Sequence, residues 1–362
     1  MAKTSPELIN IDVRNQVLLE RLKAGEHEKF ARFLKRLDKQ IRARLIQEGG
    51  TTFTKKRLSA LLVDMRNLQR VIYDDYAGQF NLDLIDIANS QAMFEARSYE
   101  RVTLNYESNL PSAEQISTAV RVNPLQVEGY TGNPLLQPFT RDWSTTQIQR
   151  VNNVVQQGFY QGLTTNEIAR NIRGTKANRF NDGTLAQVNR ANQSLVRTAV
   201  QHASTQARHE TMRQNSDLIR GYQWVSTLDS RTTLQCSALD GRRFKEGEGP
   251  LPPIHINCRS STTPVLDERF DFLKEGATRA SKGAEGGEPV SAKETYYSWL
   301  KKQPEAFQND AIGVTRGELL RNGGLTADEF ARLSLNRNFE PLTLKEMQRK
   351  MPSVFEKANI SI

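Results

Sequence analysis

The sequence predicts an α+β fold that is predominantly α-helical, with helical bundle regions and one small β-hairpin-containing module. Two patterns carry this expectation. Apolar residues recur three and four apart through most of residues 5–105 and again in several stretches after residue 141. Only residues 221–265 show the two-residue alternation and turn signals of strands. The composition agrees: 37% hydrophobic and 25% charged residues in a chain of 362 suit several well-solvated helical units better than one large core.

Taken in order, residues 1–105 read as an amino-terminal helical region. Ser5-Pro6-Glu7 offers a capping hydroxyl, a first-turn proline and an early acid. Leu18, Leu19, Leu22, Phe30, Phe33, Leu34, Leu37, Ile41 and Leu45 then form one stripe, which Gly49-Gly50 is expected to break. Leu58, Leu61, Met65, Leu68 and Ile72 form a second stripe and residues 82–97 a third, so an antiparallel bundle is expected. Pro111, Pro124, Pro134 and Pro138 mark 106–140 as a connector holding at most short elements.

Residues 141–270 form the next unit. Helix starts are expected at Ser144-Thr145-Thr146-Gln147 and at Thr164-Thr165-Asn166-Glu167, both with capping-box spacing. A long helix follows from about Leu185 to Gln214, with a narrow face of small residues. From Gly221 to Leu228 the pattern becomes that of a strand. Asp240-Gly241 signals a turn, Phe244 anchors a return strand, and 262–265 closes a small sheet. Residues 271–292, rich in Gly, Lys and Glu, read as a flexible linker. The stretch 293–362 is helical again, with capping boxes expected at Ser291/Glu294, Thr326/Glu329 and Thr343/Glu346.

The formal net charge is +9, spread along the chain without a dense basic arm. That balance is compatible with non-specific DNA contact, with an acidic protein surface, or with solubility alone. Lys35, Arg36 and Lys39 on the first helix are the DNA-contact candidates, against the plainer reading of a solvated helix face. The amino terminus lacks the apolar core of a signal peptide, and no run approaches the ~20 apolar residues of a membrane span. The expectation is a protein made in the cytoplasm and kept there or packaged from there, without a membrane anchor.

The segment richest in unusual residues runs WVSTLDSRTTLQCSALDGRRFKEGEGPLPPIHINCRSSTTP from Trp224 to Pro264. It holds the two cysteines of the chain, Cys236 and Cys258, and His255 three residues before the second. Thiolate and imidazole are natural ligands of zinc, so Cys236, His255 and Cys258 are candidate metal ligands, with Asp229, Asp240 or water as the fourth. A pair of buried thiols without metal and a disulfide formed only in an assembled particle are the other two readings. A nucleophilic Cys236 with His255 as base and Asn257 or Asp229 orienting it is weaker, because no helix amino terminus is legible at Cys236. His27 is isolated, and His202 and His209 read as satisfied polar helix positions.

Trp224, Asp229, Arg231, Thr232, Cys236, Leu239, Asp240, Gly241, Phe244, Pro252, Pro253, His255, Asn257, Cys258 and Arg259 together resemble the characteristic segment of the phage head morphogenesis (Mu F-like) minor capsid family. Leu195-Val196-Arg197-Thr198-Ala199 looks like that family's Arg-Thr helix, and the stretch from Tyr296 to Thr326 resembles a helical tail found in some members. Many members carry Cys-Arg-Cys where this chain has Cys258-Arg259-Ser260, which leaves His255 as the needed third ligand. The resemblance implies a non-enzymatic minor structural protein of a tailed-phage head, associated with the portal or inner capsid surface. Such a protein would reside in the virion and contact or accompany packaged DNA. Trp224, Asp229, Arg231, Asp240, Gly241, Asn257 and Arg259 would then be structural, with Asp229 and Arg231 forming a polar brace. A DNA-binding accessory protein, or a metal- or Cys/His-dependent hydrolase or nuclease, are the alternatives.

Overall fold

Helix α1, Pro6–Glu48, opens where the capping hydroxyl and proline predict, with Ser5 Oγ accepting from the Leu8 amide. It lies antiparallel to α2, Lys55–Val102, and at ~1.5 Å rise per residue the two run roughly 65 and 70 Å. The computed structural model describes residues 5–48, 54–103, 106–128, 132–270 and 277–362, so the expected break at Gly49-Gly50 lies outside the described residues. The second and third apolar stripes belong to one helix rather than two. Tyr73, Tyr76, Phe80 and Leu84 carry the buried spacing straight across the expected boundary, so nothing stops the helix there.

The connector holds α3, Ala113–Val122, closed by a Ser112/Gln115 capping box. Helix α4, Leu136–Tyr160, starts well before Ser144. Leu136, Phe139, Thr140 and Trp143 extend its buried face upstream, and Pro138 sits in the first turn, where no amide partner is required. The Ser144 hydroxyl donates to the Arg141 carbonyl from inside the helix and caps nothing. Helix α5, Thr165–Arg173, has the predicted Thr164/Glu167 box, and α6, Thr184–Gln214, is the expected long helix.

Helices α1 to α6 share one core. Its centre is aromatic: Phe30 lies 4.8 Å from Tyr76 and Tyr73 lies 5.4 Å from Trp143, centroid to centroid, tying α1, α2 and α4 together.

After α6 comes β1, Ile219–Val225, then α7, Leu234–Leu239, β2, Arg243–Phe244, and β3, Ser261–Leu266. The sheet is antiparallel in the order β2-β1-β3, with Tyr222 opposite Phe244 and Trp224 opposite Thr262. The strand anchors at Phe244 and Thr262–Val265 therefore fall as predicted, whereas α7 inside the module carries no periodicity that reveals it.

The expected flexible linker is corrected by the structure. Its described part forms a hairpin of β4, Thr278–Gly283, and β5, Gly286–Ser291, docked so that the Lys282 amide donates to the Leu228 carbonyl. Arg279 in β4 is buried and pairs with Asp240, an anchor that the Gly-rich composition conceals. Ser291 consequently ends a strand and is not a helix cap. The next helix, α8, Tyr296–Leu300, begins at Thr295, whose amide donates to Ser298 Oγ.

Helices α9 (Glu305–Ile312), α10 (Val314–Asn322), α11 (Ala327–Leu333), α12 (Leu344–Lys350) and α13 (Pro352–Lys357) complete the chain. The Thr326/Glu329 and Thr343/Glu346 boxes are both present. These helices share a second core with Trp224, Leu228, Cys236, Leu239 and Cys258, so the carboxyl end packs on the β module. A third cluster, Leu8, Tyr99, Met212, Leu218, Ile219, Tyr222 and Leu266, joins the module to the ends of α1, α2 and α6. The fold is thus α+β and predominantly helical. Among the described residues no helix is long and apolar enough to cross a membrane.

Arg208 of α6 is buried. Its guanidinium pairs with Glu95 of α2, lies 3.5 Å from Asp12 of α1, and donates to Ser261 Oγ and, at 2.6 Å, to the Thr262 carbonyl of β3. Burial pushes the Asp12 carboxyl up to about 7 although Arg208 pulls it down. Because this value is raised in the fold, the contribution is fully present below the unfolded value and lost as pH rises through about 7. Buried His202, held down to about 4, acts in the opposite direction and is lost as pH falls, but it cancels between two chains that both keep it. The stability of the wild type relative to Asp12→Asn should therefore fall from about pH 5 to about pH 8 in urea titrations. A difference that stays flat with pH would contradict the buried, proton-holding Asp12.

Candidate functional site

The turn after Pro253 brings His255 and Cys258 to one side. The Cys258 amide donates to the His255 carbonyl at 3.2 Å, and Asn257 between them takes a left-handed φ of 61°. Asparagine tolerates that region better than most residues, and here its amide and side chain are both held. The Asn257 amide donates to Thr198 Oγ1 and its Nδ2 to Ser194 Oγ, both on α6. Gln201 of the same helix donates to the Ser260 carbonyl, and Arg208 grips Ser261 and Thr262 further on. One side of α6 thus fixes the run from Asn257 to Thr262.

Cys236 arrives from the opposite direction. It lies in the first turn of α7, and its amide donates to the cap hydroxyl of Thr233. The sequence hides this helix start because α7 is only six residues long. Cys236 Sγ lies 3.2 Å from His255 Nε2 and 3.9 Å from Cys258 Sγ, and the ligand atoms of all three residues fall within 4.8 Å of one another. Both cysteines are buried and free, while His255 is partly exposed beside the exposed Thr233. His255 Nδ1 lies 2.9 Å from the Ile256 carbonyl, which accepts its proton, and Nε2 faces the sulfurs.

The electrostatics follow from this crowding. Burial raises the Cys258 thiol, but the hydrogen bonds from Cys236 and His255 outweigh it and bring Cys258 below the usual thiol range. Burial, and then the adjacent Cys258, hold Cys236 above that range. Burial lowers the His255 imidazole, yet the Cys258 sulfur beside it carries the net shift upward.

Neither carboxylate considered as a fourth ligand is available. Asp229 accepts two bonds from Arg259, at 2.6 and 2.8 Å, and one from the Thr232 hydroxyl. Burial raises its carboxyl, but Arg259 outweighs burial and holds it below the usual range. The polar brace therefore joins Asp229 to Arg259. Arg231, the expected partner, is exposed, approaches Asp229 only to 3.7 Å, and contributes its backbone amide instead. Its place on the turn points the side chain into water.

Asp240 accepts from the Ser226 and Tyr296 amides at 2.6 and 2.7 Å and pairs with Arg279. Gly241, at φ 82°, has no room for a side chain, since a Cβ there would meet Thr295 Cγ2 at 2.7 Å. Trp224 is fully buried and its indole donates to Ser226 Oγ. These residues hold the module to the carboxyl-terminal helices.

The orienting carboxylate or amide that a nucleophilic cysteine would require is not assembled among the described residues. His255 Nδ1 faces a backbone carbonyl, while Asn257 and Asp229 are engaged elsewhere. His202 and His209 are satisfied by the Val120 carbonyl and the Thr262 hydroxyl, as expected, and His27 meets Asn192. Arg208, Arg279, Thr233 and Ser226 escaped the sequence reading. Only Thr233 carried a local signal, as a hydroxyl three residues before Cys236.

Residues 149–263 match the family model described as Phage Mu protein F like protein. Over this segment, about a third of the chain, the sequence is similar to the Mu F-like family. The match runs from within α4 to within β3 and contains the whole Cys236/His255/Cys258 cluster together with the α6 face that holds it. The family connects the chain with phage head morphogenesis. The helical tail from Tyr296 onward lies beyond the matched residues. Searches of the curated proteins and of the solved structures found no match.

Proposed function

We propose that this protein is a minor structural protein of a tailed-phage head, acting in head morphogenesis at the portal or the inner capsid surface. The observation that carries the reading is the family match over the part of the chain that joins its two larger cores. The arrangement around that segment is that of a scaffold. Its polar residues are spent on holding elements together. On the α1–α2 hairpin Leu18, Leu22 and Phe94 border a groove that suits an apolar segment of a capsid partner, with Lys29 on its rim paired to Glu26 and Asp83.

A DNA-facing surface is favoured by a different groove. Arg66, Arg70 and Arg141 line a cavity of about 620 Å³ between α2 and α4 with Gln149, Asn152 and Asn153. Arg66 and Arg70 have no carboxylate partner among the described residues, whereas Arg36 on α1 is paired with Asp75 and Lys29 with Asp83. The α2–α4 groove therefore offers more uncompensated charge for phosphates than the first helix does.

Quantitative mass spectrometry of purified virions, before and after triggered DNA release, and of isolated portal complexes tests the structural role. The protein should be recovered at a few copies per particle and with portal. Its absence from both preparations would overturn the reading. For the DNA surface, Arg66→Glu with Arg70→Glu should weaken duplex binding and flatten its salt dependence by about one to two units of slope. Unchanged binding in that variant, alongside loss on neutralising Lys35 and Lys39, would move the surface to α1.

A further inference from the structure

We propose that Cys236, His255 and Cys258 hold a zinc ion that locks the module between α7 and β3, with solvent in the fourth position that three protein ligands leave open. A tetrahedral zinc ion with sulfur ligands at ~2.3 Å places two such sulfurs about 3.8 Å apart. The two Sγ atoms are 3.9 Å apart, and His255 Nε2 lies 3.2 Å from Cys236 Sγ. The imidazole is already turned for the task, since its Nδ1 proton is held by the Ile256 carbonyl and its Nε2 faces the sulfurs. The donor set is right in kind as well: two sulfurs and an imidazole suit zinc and disfavour calcium or magnesium, which take oxygen.

The surroundings fit a dication held by two thiolates. On binding, each cysteine thiol gives its proton to solvent, and the pair of negative charges neutralises the ion, so the buried site carries no net charge. Asp229 and Asp240, the nearby carboxylates weighed as ligands, are bound to Arg259 and Arg279 and would not be drawn in. Thr233 lies on the exposed edge, 3.1 Å from His255 Nε2, and marks the side from which water completes the coordination.

The need for such a lock is structural. Between Phe244 and Ser261 the chain has no helix or strand, and Cys236 and Cys258 stand at the two sides of that excursion. A metal crosslink ties α7 to the turn that α6 anchors. This role is separate from any partner the module meets, so it stands or falls independently of the proposed place in the phage head.

The test uses the full chain, expressed in zinc-supplemented medium and purified without chelator. Elemental analysis should find about one zinc per chain after desalting. Cobalt exchanged into the site should show sulfur-to-cobalt charge transfer in the near ultraviolet and the visible bands of a tetrahedral ion. Stripping the wild type with a strong chelator should free two reactive thiols and raise hydrogen exchange in residues 224–264, with zinc restoring both. His255→Ala and Cys258→Ser should lose the metal. Because either variant could fail to fold, the wild-type measurements decide. A folded wild-type chain that carries no zinc and takes up no cobalt would overturn the proposal, as would recovery of a Cys236–Cys258 disulfide.

Discussion

The buried guanidinium of Arg208 is the constraint on which the rest of this structure depends. A charge removed from water must be matched by partners at the same place, and those partners come from three separate parts of the chain. Glu95 comes from α2, Asp12 from α1, and the Ser261 hydroxyl and Thr262 carbonyl from β3. Burial raises the Asp12 carboxyl, Arg208 only partly offsets this, and the neighbouring Glu95 adds to the rise, so Asp12 holds its proton more tightly than an exposed carboxyl does. Helix α6 can therefore be buried on nearly all sides only if the amino-terminal hairpin and the sheet close on it together.

The same helix prepares the cysteine–histidine cluster. Thr198, Gln201 and Arg208 fall on one side of α6 and grip Asn257, Ser260 and Thr262 in turn. Cys258 lies inside that gripped run, so its position is inherited from α6. Cys236 is placed from the other side by the Thr233 cap and by Asp240, which ties the end of α7 to Arg279 and to the start of α8. The matched family segment thus rests on elements before and after it. Its Arg208 and Asp240 both find their charge partners outside residues 149–263.

Much of this was legible in the sequence. The long helices, three of the capping boxes and the strand pairings at Phe244 and Thr262 follow from periodicity and local side-chain chemistry. Cys236, His255 and Cys258 stood out by ligand type and spacing, and the fold brings them together. What remained hidden depends on distant partners. Composition makes residues 277–292 look like a linker, because the interaction that orders them is one buried arginine meeting a carboxylate some forty residues earlier. Arg231 and Arg259 compete for Asp229, and proximity in sequence favoured the wrong one; only the turn geometry turns Arg231 to water and Arg259 inward. Helix α7 is too short to show a period, and the start of α4 is set by buried residues lying among prolines that read as a connector.

The central claim is that the Mu F-like segment and the α1–α2 hairpin fold as one cooperative unit around Arg208. Native-state hydrogen exchange in rising urea tests it most directly. The amides near Asp12 and Glu95 should lose protection at the same urea concentration as those of Ala203–Met212 in α6 and Thr262–Val265 in β3. Loss of protection in α1 and α2 at a lower concentration, with α6 and β3 still closed, would show two independent units and contradict the account.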